Sequence, residues 1–504
     1  METTYACLLT TYQVRRPKGD TLEPMAPTLS FANVEEQYGN KWYFYHRVDM
    51  HRHLKELAEA TGSIIRLGAQ VTDVDPESGM IHLKDGSQIQ KDLVVIADGQ
   101  HVSSPILPAA NANLNLYQDR LNFKITGKEV PMQRSGQTAY RCLIPMKDIL
   151  EDVETKDLFE GQPPGFWAPA LPAKGVMAVT YPCRDNQILN VLAVHRKLGQ
   201  HATSEEDVVI EDWNFPATHD DLEKVLDGFH PAVKKVFLKS PEVKVYTQMK
   251  RDPLSKMTKG KAVLIGDACH PMLLTHAQGV SSSIEDAAAL EIFLAGVPAS
   301  EGVSAEPSEK LLQRLEQFEK FRLPRVSATQ ILTNPIVPGP QAAAKAAEQE
   351  AEIRKYYSGP LPTTGAMPHS PPICQFFFGY DVRKEATQYL ADADRQRKSI
   401  DMTVQEERTT GQAVDAVAPA LDEKTVIESS APMLMQAKDN VVTVTTMQGD
   451  INPMEQRVLD LERKLADMEK KMAELVHVST REIQMTPPQS PPSSYEMPPI
   501  VFSS

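Results

Sequence analysis

Residues 260–290 read GKAVLIGDACHPMLLTHAQGVSSSIEDAAAL, and they contain the strand, loop and helix that decide the fold. Lys261–Ile265 is an almost wholly apolar run, which is typical of a strand buried on both faces. A polar loop follows, opening with Gly266 and Asp267, and a helix is predicted from about Ser281 to Ala295. A buried strand followed by a polar loop and a helix is the repeating unit of a mixed sheet covered by helices, so the sequence predicts an α/β body.

The loop itself has the residues of a binding turn. Ligands of α/β sheets collect at the carboxyl ends of the strands. Gly266 permits a close backbone approach, and the carboxylate of Asp267 is able to accept hydrogen bonds from a polyol. The helix after Gly279 opens with Ser281, and its free N–H groups are suited to an anion or to a negatively polarised ring edge. A strand–turn–helix that binds nothing has the same spacing, so both interpretations stay open.

Two other segments have a similar character. Residues 92–105 (DLVVIADGQHVSSP) place Asp98 at the end of a second apolar strand. Residues 46–57 place Arg47 just before an amphipathic helix, a suitable position for a phosphate contact. Ser63–Val71 is predicted to be a further strand. Taken alone, an Asp-Gly strand end and a solvated arginine are equally consistent with no ligand.

Taken together and in this order, the segments resemble the group A FAD-dependent aromatic monooxygenases. The resemblance is to the salicylate-hydroxylase type, with the fold of para-hydroxybenzoate hydroxylase, and especially to fungal enzymes that hydroxylate aromatic polyketides. It covers roughly residues 30–385. The matching motifs are Arg47…Leu54, Asp85-Gly86…Asp98-Gly99, Gly260…Gly266-Asp267-Ala268-Cys269-His270-Pro271, Gln278-Gly279, Ile284-Glu285-Asp286-Ala287, Glu319…Arg322…Arg325-Val326 and Phe378-Gly379-Tyr380-Asp381.

The resemblance implies a truncated Rossmann-like FAD-binding domain of the glutathione-reductase type with an inserted mixed-sheet substrate domain, followed by a C-terminal helical and disordered extension. The expected divisions are an incomplete first part of the FAD-binding domain at 1–105, the substrate domain at 106–245, the second part of the FAD-binding domain at 246–335, a packing segment at 336–382, and an acidic, largely disordered tail at 383–504. The family opens with a G-x-G-x-x-G turn, whereas residues 1–46 contain only Gly19 and Gly39. The nucleotide-binding unit is therefore expected to be incomplete.

The same resemblance implies roles for individual residues in holding FAD. Arg47 is expected to meet the ribose or phosphates and Asp267 the ribityl chain, while the backbone at Val280 and Ser281 is expected to face the pyrimidine edge of the flavin. The remaining expected cofactor contacts are Asp98, Gly266 and Gly279.

Resemblance to the polyketide hydroxylases implies that Arg141 and Tyr181 lie in the active site. A guanidinium beside a phenol favours the phenolate, whose electron-rich ring attacks an electrophilic oxygen. The family forms that oxygen as a C4a-hydroperoxyflavin from NAD(P)H-reduced FAD and O2. A structural ion pair for Arg141 and a half-buried strand position for Tyr181 remain alternative roles.

The C-terminal part contains one regular pattern. Met454, Val458, Leu461, Leu465, Met468, Met472 and Leu475 follow heptad spacing. This predicts a short coiled coil over 453–478, whose seam at 454–475 makes a homodimer or binds a partner; a single amphipathic helix folded against its own domain fits equally well. Before it, residues 401–450 hold nine acidic and three basic side chains and no aromatic ring, as in a disordered segment.

Composition excludes several classes of protein. A net charge of −14 opposes non-specific binding to nucleic acid. No apolar run reaches the length of a membrane span. The five cysteines are scattered and the histidines lack metal-ligand spacing, so we expect no metal site and a reducing, cytoplasmic setting.

These observations bear on three functions. The first is an FAD-dependent monooxygenase that hydroxylates a phenolic aromatic with NAD(P)H and O2. The alternative is a truncated, non-catalytic relative that acts as a binding or scaffold protein. A doubly wound nicotinamide dehydrogenase is disfavoured because the chain has no G-x-G-x-x-G turn.

Overall fold

The computed structural model describes residues 6–18, 21–25, 27–100, 120–162, 165–196, 215–298, 307–336, 339–363, 365–410 and 442–444. The chain divides into two units, 1–446 and 447–504, and all the described residues lie in the first. The coiled coil predicted at 453–478 lies outside the described residues. Within them, helices and mixed sheets alternate along the chain, which confirms the predicted α/β class.

The strands of the described residues are β1 (Ala6–Leu8), β2 (Thr11–Lys18), β3 (Thr21–Pro24), β4 (Leu29–Ser30), β5 (Tyr43–Tyr45), β6 (Val71–Asp75), β7 (Met80–Leu83), β8 (Gln88–Gln90), β9 (Val94–Ile96), β10 (Gln133–Pro145), β11 (Gly165–Leu171), β12 (Val176–Cys183), β13 (Ile188–Arg196), β14 (Pro216–Ala217), β15 (Val243–Lys250), β16 (Thr258–Lys259), β17 (Ala262–Leu264) and β18 (Val442–Val444). The α-helices are α1 (Val34–Tyr38), α2 (Arg47–Ala60), α3 (Arg120–Thr126), α4 (Met146–Leu150), α5 (His219–Val225), α6 (Pro231–Leu238), α7 (Gly279–Leu294), α8 (Glu309–Leu332), α9 (Ala342–Ile353), α10 (Pro371–Phe378) and α11 (Val382–Thr410).

A small sheet with parallel strands carries the two apolar runs that the sequence singled out. Its order is β16-β17-β9-β18, and β17 and β18 both pair with β9 in parallel. The side chains of β9 and β17 are buried, and they form one core with residues of α7, α8 and α11. Helices that pack on this core keep water from the strands, which explains why these strands read as continuous apolar runs.

A larger, 9-stranded sheet forms the second layer of the molecule, in the order β14-β15-β10-β13-β12-β11-β2-β3 with β4 beside β2. One face of its central strands packs on α5 and α6 through a core that includes Val191, Leu222 and Phe237. The pleat points alternate side chains to opposite faces. The other face is therefore left for a site.

Three segments differ from the sequence-based expectations. Strands β2–β4 pair into the larger sheet through a parallel β2–β11 ladder, so residues 11–30 join the sheet expected to begin only after residue 105. The strand predicted at Ser63–Val71 begins only at Val71, and the side chains of Ile64 and Leu67 are exposed. Helix α11 (Val382–Thr410) packs Val382 and Ala386 into the core, so the ordered body extends into the tail that was expected, from residue 383, to be largely disordered.

Candidate active site

The loop after β17 turns at Gly266. This residue has a φ of +59°, and a Cβ built on it would lie 2.9 Å from Oγ of Ser283 in α7. The left-handed backbone and the close contact both favour glycine over a residue with a side chain. The loop therefore passes directly against the first turns of α7.

A buried ionic network fixes this loop to two helices. Oδ2 of Asp286 accepts a hydrogen bond from the backbone N–H of Gly266 at 2.9 Å and lies 2.6 Å from Nε2 of His270. Oδ1 of Asp286 accepts from Nε of Arg322 at 3.0 Å, and Arg322 also binds Glu285. Burial alone would raise the pKa of Asp286, but His270 and Arg322 hold it below its usual value. The I-E-D-A and E-x-x-R motifs therefore serve to hold the loop.

Three more polar side chains, which the sequence analysis did not single out, hold the loop from other elements. Arg251 donates to the carbonyl oxygen of Ala268 at 2.6 Å, and Nδ2 of Asn122 donates to the same oxygen at 3.3 Å. Oγ1 of Thr333 accepts from the N–H of Leu273 at 3.1 Å. Together they provide partners for two backbone groups of the loop, the carbonyl of Ala268 and the N–H of Leu273. The only sequence signal was the position of Arg251 directly after a strand.

Asp267 lies beside the beginning of α7, as the binding-turn interpretation requires. A Cβ on Gly279 would be 3.8 Å from Oδ1 of Asp267, so the carboxylate is in contact with the first residue of the helix. Val280 and Ser281 are exposed in the first turn, Val280 to 49%. The N–H groups of a helix's first turn have no partner within the helix and carry partial positive charge. The structure thus presents a carboxylate and an exposed helix terminus side by side.

Asp98 emerges at the same edge. The register pairs Leu264 with Ile96, and the N–H of Ile265 donates to the carbonyl of Ile96 at 3.1 Å. Because the strands are parallel, Asp98 and Gly266 leave the sheet next to each other. Two of the expected cofactor contacts are thus brought to one sheet edge.

Arg47 is the first residue of α2 and its side chain is exposed. The helix is fixed by Asp49, which is buried and accepts hydrogen bonds from Arg184 at 2.6 and 2.8 Å. The preceding His46 has its pKa lowered, chiefly by burial and then by Arg184. His46 is therefore neutral at pH 7, and it is a functional candidate that the sequence analysis missed.

Arg141 and Tyr181 lie on the same face of the larger sheet, the face opposite α5 and α6. Arg141 of β10 pairs with Leu192 of β13, and Tyr181 of β12 pairs with Asn190 of β13. Leu192 and Asn190 are two residues apart on β13. Residues directly opposite each other, and residues two apart on one strand, share a face. Tyr246 of β15 has the same orientation through its pairing with Ala139. We call this surface the donor face.

The donor face is electrostatically coupled to α2. Burial raises the pKa of Tyr181 to about 12, while the charge of Arg141 acts in the opposite direction. Burial likewise raises the pKa of Tyr246 to about 12, against the charges of Arg141 and Arg47. The ring of Phe44 stacks on Tyr181 with centroids 4.6 Å apart. The charges of Arg141 and Arg47 thus both act on the hydroxyl group of Tyr246.

The described residues fit the flavin and ribityl part of FAD better than its pyrophosphate part. Asp267, the exposed start of α7 and the Gly266 turn match the needs of a ribityl chain and an anionic ring edge. Ahead of Arg47, the described residues form β1–β5 and α1 and contain no glycine-rich strand–turn–helix for a pyrophosphate. Elsewhere in the described ranges, no group of three or more His, Cys, Asp or Glu is placed to hold a metal ion. Nor does any helix there combine the length and apolar character needed to span a bilayer.

Comparison with known proteins places these features in a class. Residues 126–306 match the family described as FAD binding domain. The chain is 28% identical over 381 residues to an FAD-dependent monooxygenase, phomE', of Diaporthe leptostromiformis, an alignment that covers 74% of this chain and 85% of the relative. It is 27% identical over 314 residues to hispidin-3-hydroxylase of Neonothopanus nambi, covering 59% and 67%.

A solved structure described as a salicylate hydroxylase substrate complex has the same fold. The TM-score is 0.53 at 18% sequence identity, with 76% of this chain and 84% of that chain covered. The fold and the matched FAD binding domain agree with each other. The chain is thus similar to FAD-dependent monooxygenases and to hydroxylases of aromatic compounds, as the sequence motifs predicted.

Proposed function

We propose that the chain hydroxylates a phenolic aromatic ring held on the donor face, with FAD, NAD(P)H and O2, and that the substrate is an aromatic polyketide of secondary metabolism. The observation that carries this is the composition of the donor face. Its positions on β10, β12, β13 and β15 include Arg141, Tyr181, Asn190, Lys244 and Tyr246. None of the positions on this face of those strands is Asp or Glu, although Lys244 is ion-paired at 2.8 Å with Glu242, which directly precedes β15.

Strands that place several hydrogen-bond donors and no carboxylate of their own on one face favour a ligand that carries oxyanions. Arg141 lowers the free energy of an adjacent phenolate relative to the phenol, because an opposite charge nearby favours the ionised form. Tyr181 is un-ionised at neutral pH because burial raises its pKa to about 12. Its hydroxyl is therefore a donor that fixes the orientation of the same oxygen. An ionised phenol has a more electron-rich ring and is the better nucleophile.

The flavin would supply, once reduced by the nicotinamide and exposed to O2, the electrophilic oxygen that such a ring attacks. Asp267 would accept hydrogen bonds from the ribityl hydroxyls, and the exposed N–H groups at Val280 and Ser281 would stabilise negative charge on the ring edge. Relatives named hispidin-3-hydroxylase and 3-hydroxybenzoate 6-hydroxylase support an aromatic substrate.

A second candidate function is a non-catalytic relative that binds a ligand or a partner. The observation in its favour is that the described residues ahead of Arg47 form strands of the larger sheet and the β1–β5 pair, not a nucleotide-binding turn. A glycine-rich helix N-terminus is the usual cradle for the pyrophosphate. On this account the donor face binds an aromatic anion without turning it over.

The experiment that tests the proposal measures phenol-stimulated NADPH oxidation and product formation by the full chain with added FAD. The panel contains simple phenols and anthraquinone-like polyketides. Arg141→Met should reduce hydroxylation at least ~100-fold, since it removes the charge that stabilises the phenolate. Tyr140→Phe is the matched control, because Tyr140 lies on the helix-packed face of the same strand. If the wild type hydroxylates phenols and Arg141→Met does so equally well, the proposal is contradicted. If the wild type binds phenols tightly but does not turn them over, the second candidate function is favoured.

A further inference from the structure

Two buried glutamine amides on the donor face lack hydrogen-bond partners. Gln137 is 7% exposed and Gln248 is 5% exposed, and the Nε2 atom of each is buried with no partner among the described residues. The two residues are direct cross-strand partners on β10 and β15. A buried amide donor without a partner costs free energy, of the order of 1–3 kcal/mol. Such a pair is therefore retained at a site where a ligand provides the acceptor.

A guanidinium completes the same cross-strand row. Arg196 of β13 pairs directly with Gln137, on the side of β10 away from Gln248. Burial lowers the pKa of Arg196, and no carboxylate of the described residues lies within ion-pair distance of it. The row Gln248–Gln137–Arg196 thus offers hydrogen-bond donors from all three side chains and contains no carboxylate.

The row is located at the end of the donor face nearest the Asp267 loop. Arg251, three residues after Gln248, donates to the carbonyl oxygen of Ala268 in that loop. A β-bulge at Ser135 and Gly136 precedes Gln137, and the hydroxyl of Ser135 donates to the carbonyl of Gln248 at 2.7 Å. Bulges of this kind re-aim side chains beside binding sites.

We propose that Gln137, Gln248 and Arg196 form a second oxyanion subsite, which binds a carboxylate or enolate oxygen of the substrate that the donor face holds. The row lies four residues from Arg141 along β10, about 13 Å at the rise of a strand. A phenol bound at Arg141 and an anionic group bound at this row therefore require a substrate longer than a single ring. This inference rests on the proposed function in one respect only, namely that the ligand bound here is the substrate of the hydroxylation.

The test uses binding, not turnover, with 6-hydroxy-2-naphthoate and 2-naphthol as probes. The two differ in the carboxylate alone. The wild-type full chain should bind the naphthoate at least ~10-fold more tightly than 2-naphthol, because charge-assisted hydrogen bonds to a carboxylate are the stronger kind. Arg196→Met and Gln248→Met should each weaken naphthoate binding ~10-fold and leave 2-naphthol unchanged. Arg16→Met, at an exposed guanidinium on β2, is the matched control.

Several results would overturn the proposal. These are equal affinity of the wild type for the two probes, no binding of the naphthoate, or an equal loss of both probes in Arg196→Met. Competition of NADPH with the naphthoate that depends on Arg196 would assign the row to the nucleotide instead. A fall in the unfolding temperature of Gln248→Met would also count against it, since removing an amide without hydrogen bonds should leave that temperature unchanged or higher. Failure of hydroxylation with intact discrimination between the probes would refute only the proposed function.

Discussion

Nε2 of His270 lies 2.6 Å from Oδ2 of Asp286, and both side chains are fully buried, 1% and 0% exposed. The same carboxylate holds the N–H of Gly266 and the guanidinium of Arg322, which is also fully buried. One residue of α7 therefore joins the turn after β17, the histidine that follows it and helix α8. The position of Asp267 in the candidate cofactor site depends on this arrangement, because Asp267 is the next residue after Gly266 in the chain.

Removing that carboxylate should destabilise the protein strongly. Asp286→Ala leaves Arg322 buried without its main counter-ion, and breaking a buried pair in this way costs about 3–5 kcal/mol. We expect a loss of that size in the free energy of unfolding, measured by denaturant titration. Glu316→Ala removes a carboxylate that is exposed and paired with Lys320 at i,i+4, so it should change stability by less than about 0.5 kcal/mol. Similar losses for the two variants would show that the network does not hold the loop.

The close approach at Gly266 is testable with a second glycine as reference. Gly266→Ala adds a Cβ 2.9 Å from Oγ of Ser283 at a φ of +59°, whereas Gly127→Ala adds one at a φ of +67° with nothing within 4 Å. Both variants bear the backbone cost of about 1 kcal/mol, but only Gly266→Ala also bears the clash. Gly266→Ala should therefore lose more stability than Gly127→Ala in thermal unfolding. Adding Ser283→Ala should recover part of the difference; no recovery would refute the contact.

Ala277 occupies a position that favours glycine. Its φ is +54°, in the left-handed region, and it directly precedes Gln278 and the start of α7. Relieving the strain should outweigh the extra backbone freedom of glycine in the unfolded chain. We expect Ala277→Gly to raise the free energy of unfolding by about 0.5–1 kcal/mol.

The opposite sign is expected in a regular helix. Ala347→Gly, at an exposed position within α9, should lower the free energy of unfolding by about 1 kcal/mol. Denaturant titration of both variants gives the comparison. Destabilisation by both would mean that Ala277 is not strained.

Acid should destabilise the fold through a buried histidine. Burial lowers the pKa of His369 to about 3, and its ring packs against Trp42 and Tyr12. In the unfolded chain the imidazole of His369 takes up a proton near pH 6.5, whereas in the folded chain it stays neutral until about pH 3. The neutral histidine therefore favours folding above about pH 6.5, and this contribution is lost as the pH falls towards 3. At pH 5 the loss is about 2 kcal/mol.

His369→Phe should flatten that dependence. The ring contacts remain while the titrating group is removed, so the fall in unfolding free energy between pH 7 and 5 should shrink by about 2 kcal/mol. His51→Gln, at an exposed position on α2, should leave the profile unchanged. An identical profile in His369→Phe and the wild type would exclude His369 as the source.

The Asp267 turn was predictable because its pattern is local. An apolar strand, Gly266, Asp267 and a serine-rich helix start follow one another in the sequence, and the structure brings Asp267 to Gly279 as expected. The motif residues Asp286 and Arg322 were also recognised, but their pairing was not, since it joins positions 36 residues apart.

Other features left no local signal. Asn122 and Arg251 hold the loop through carbonyl groups, which any polar residue at the right place could do. The unpartnered amide of Gln248 depends on which neighbours the sheet supplies. Ser63–Val71 has the apolar residues of a strand, yet most of it pairs with no strand in the described structure. Periodicity reports which residues favour a strand but not whether a neighbouring strand is present.

Titration of the purified full chain with FAD, followed by the change in flavin absorbance, tests the central claim that the turn at Asp267 holds the flavin. We predict saturable binding of one FAD per chain, weakened at least ~10-fold by Asp267→Ala, which removes charged hydrogen-bond acceptors, and unaffected by Asp220→Ala on the exposed surface of α5. No binding by the wild type, or equal binding by Asp267→Ala, would contradict the account.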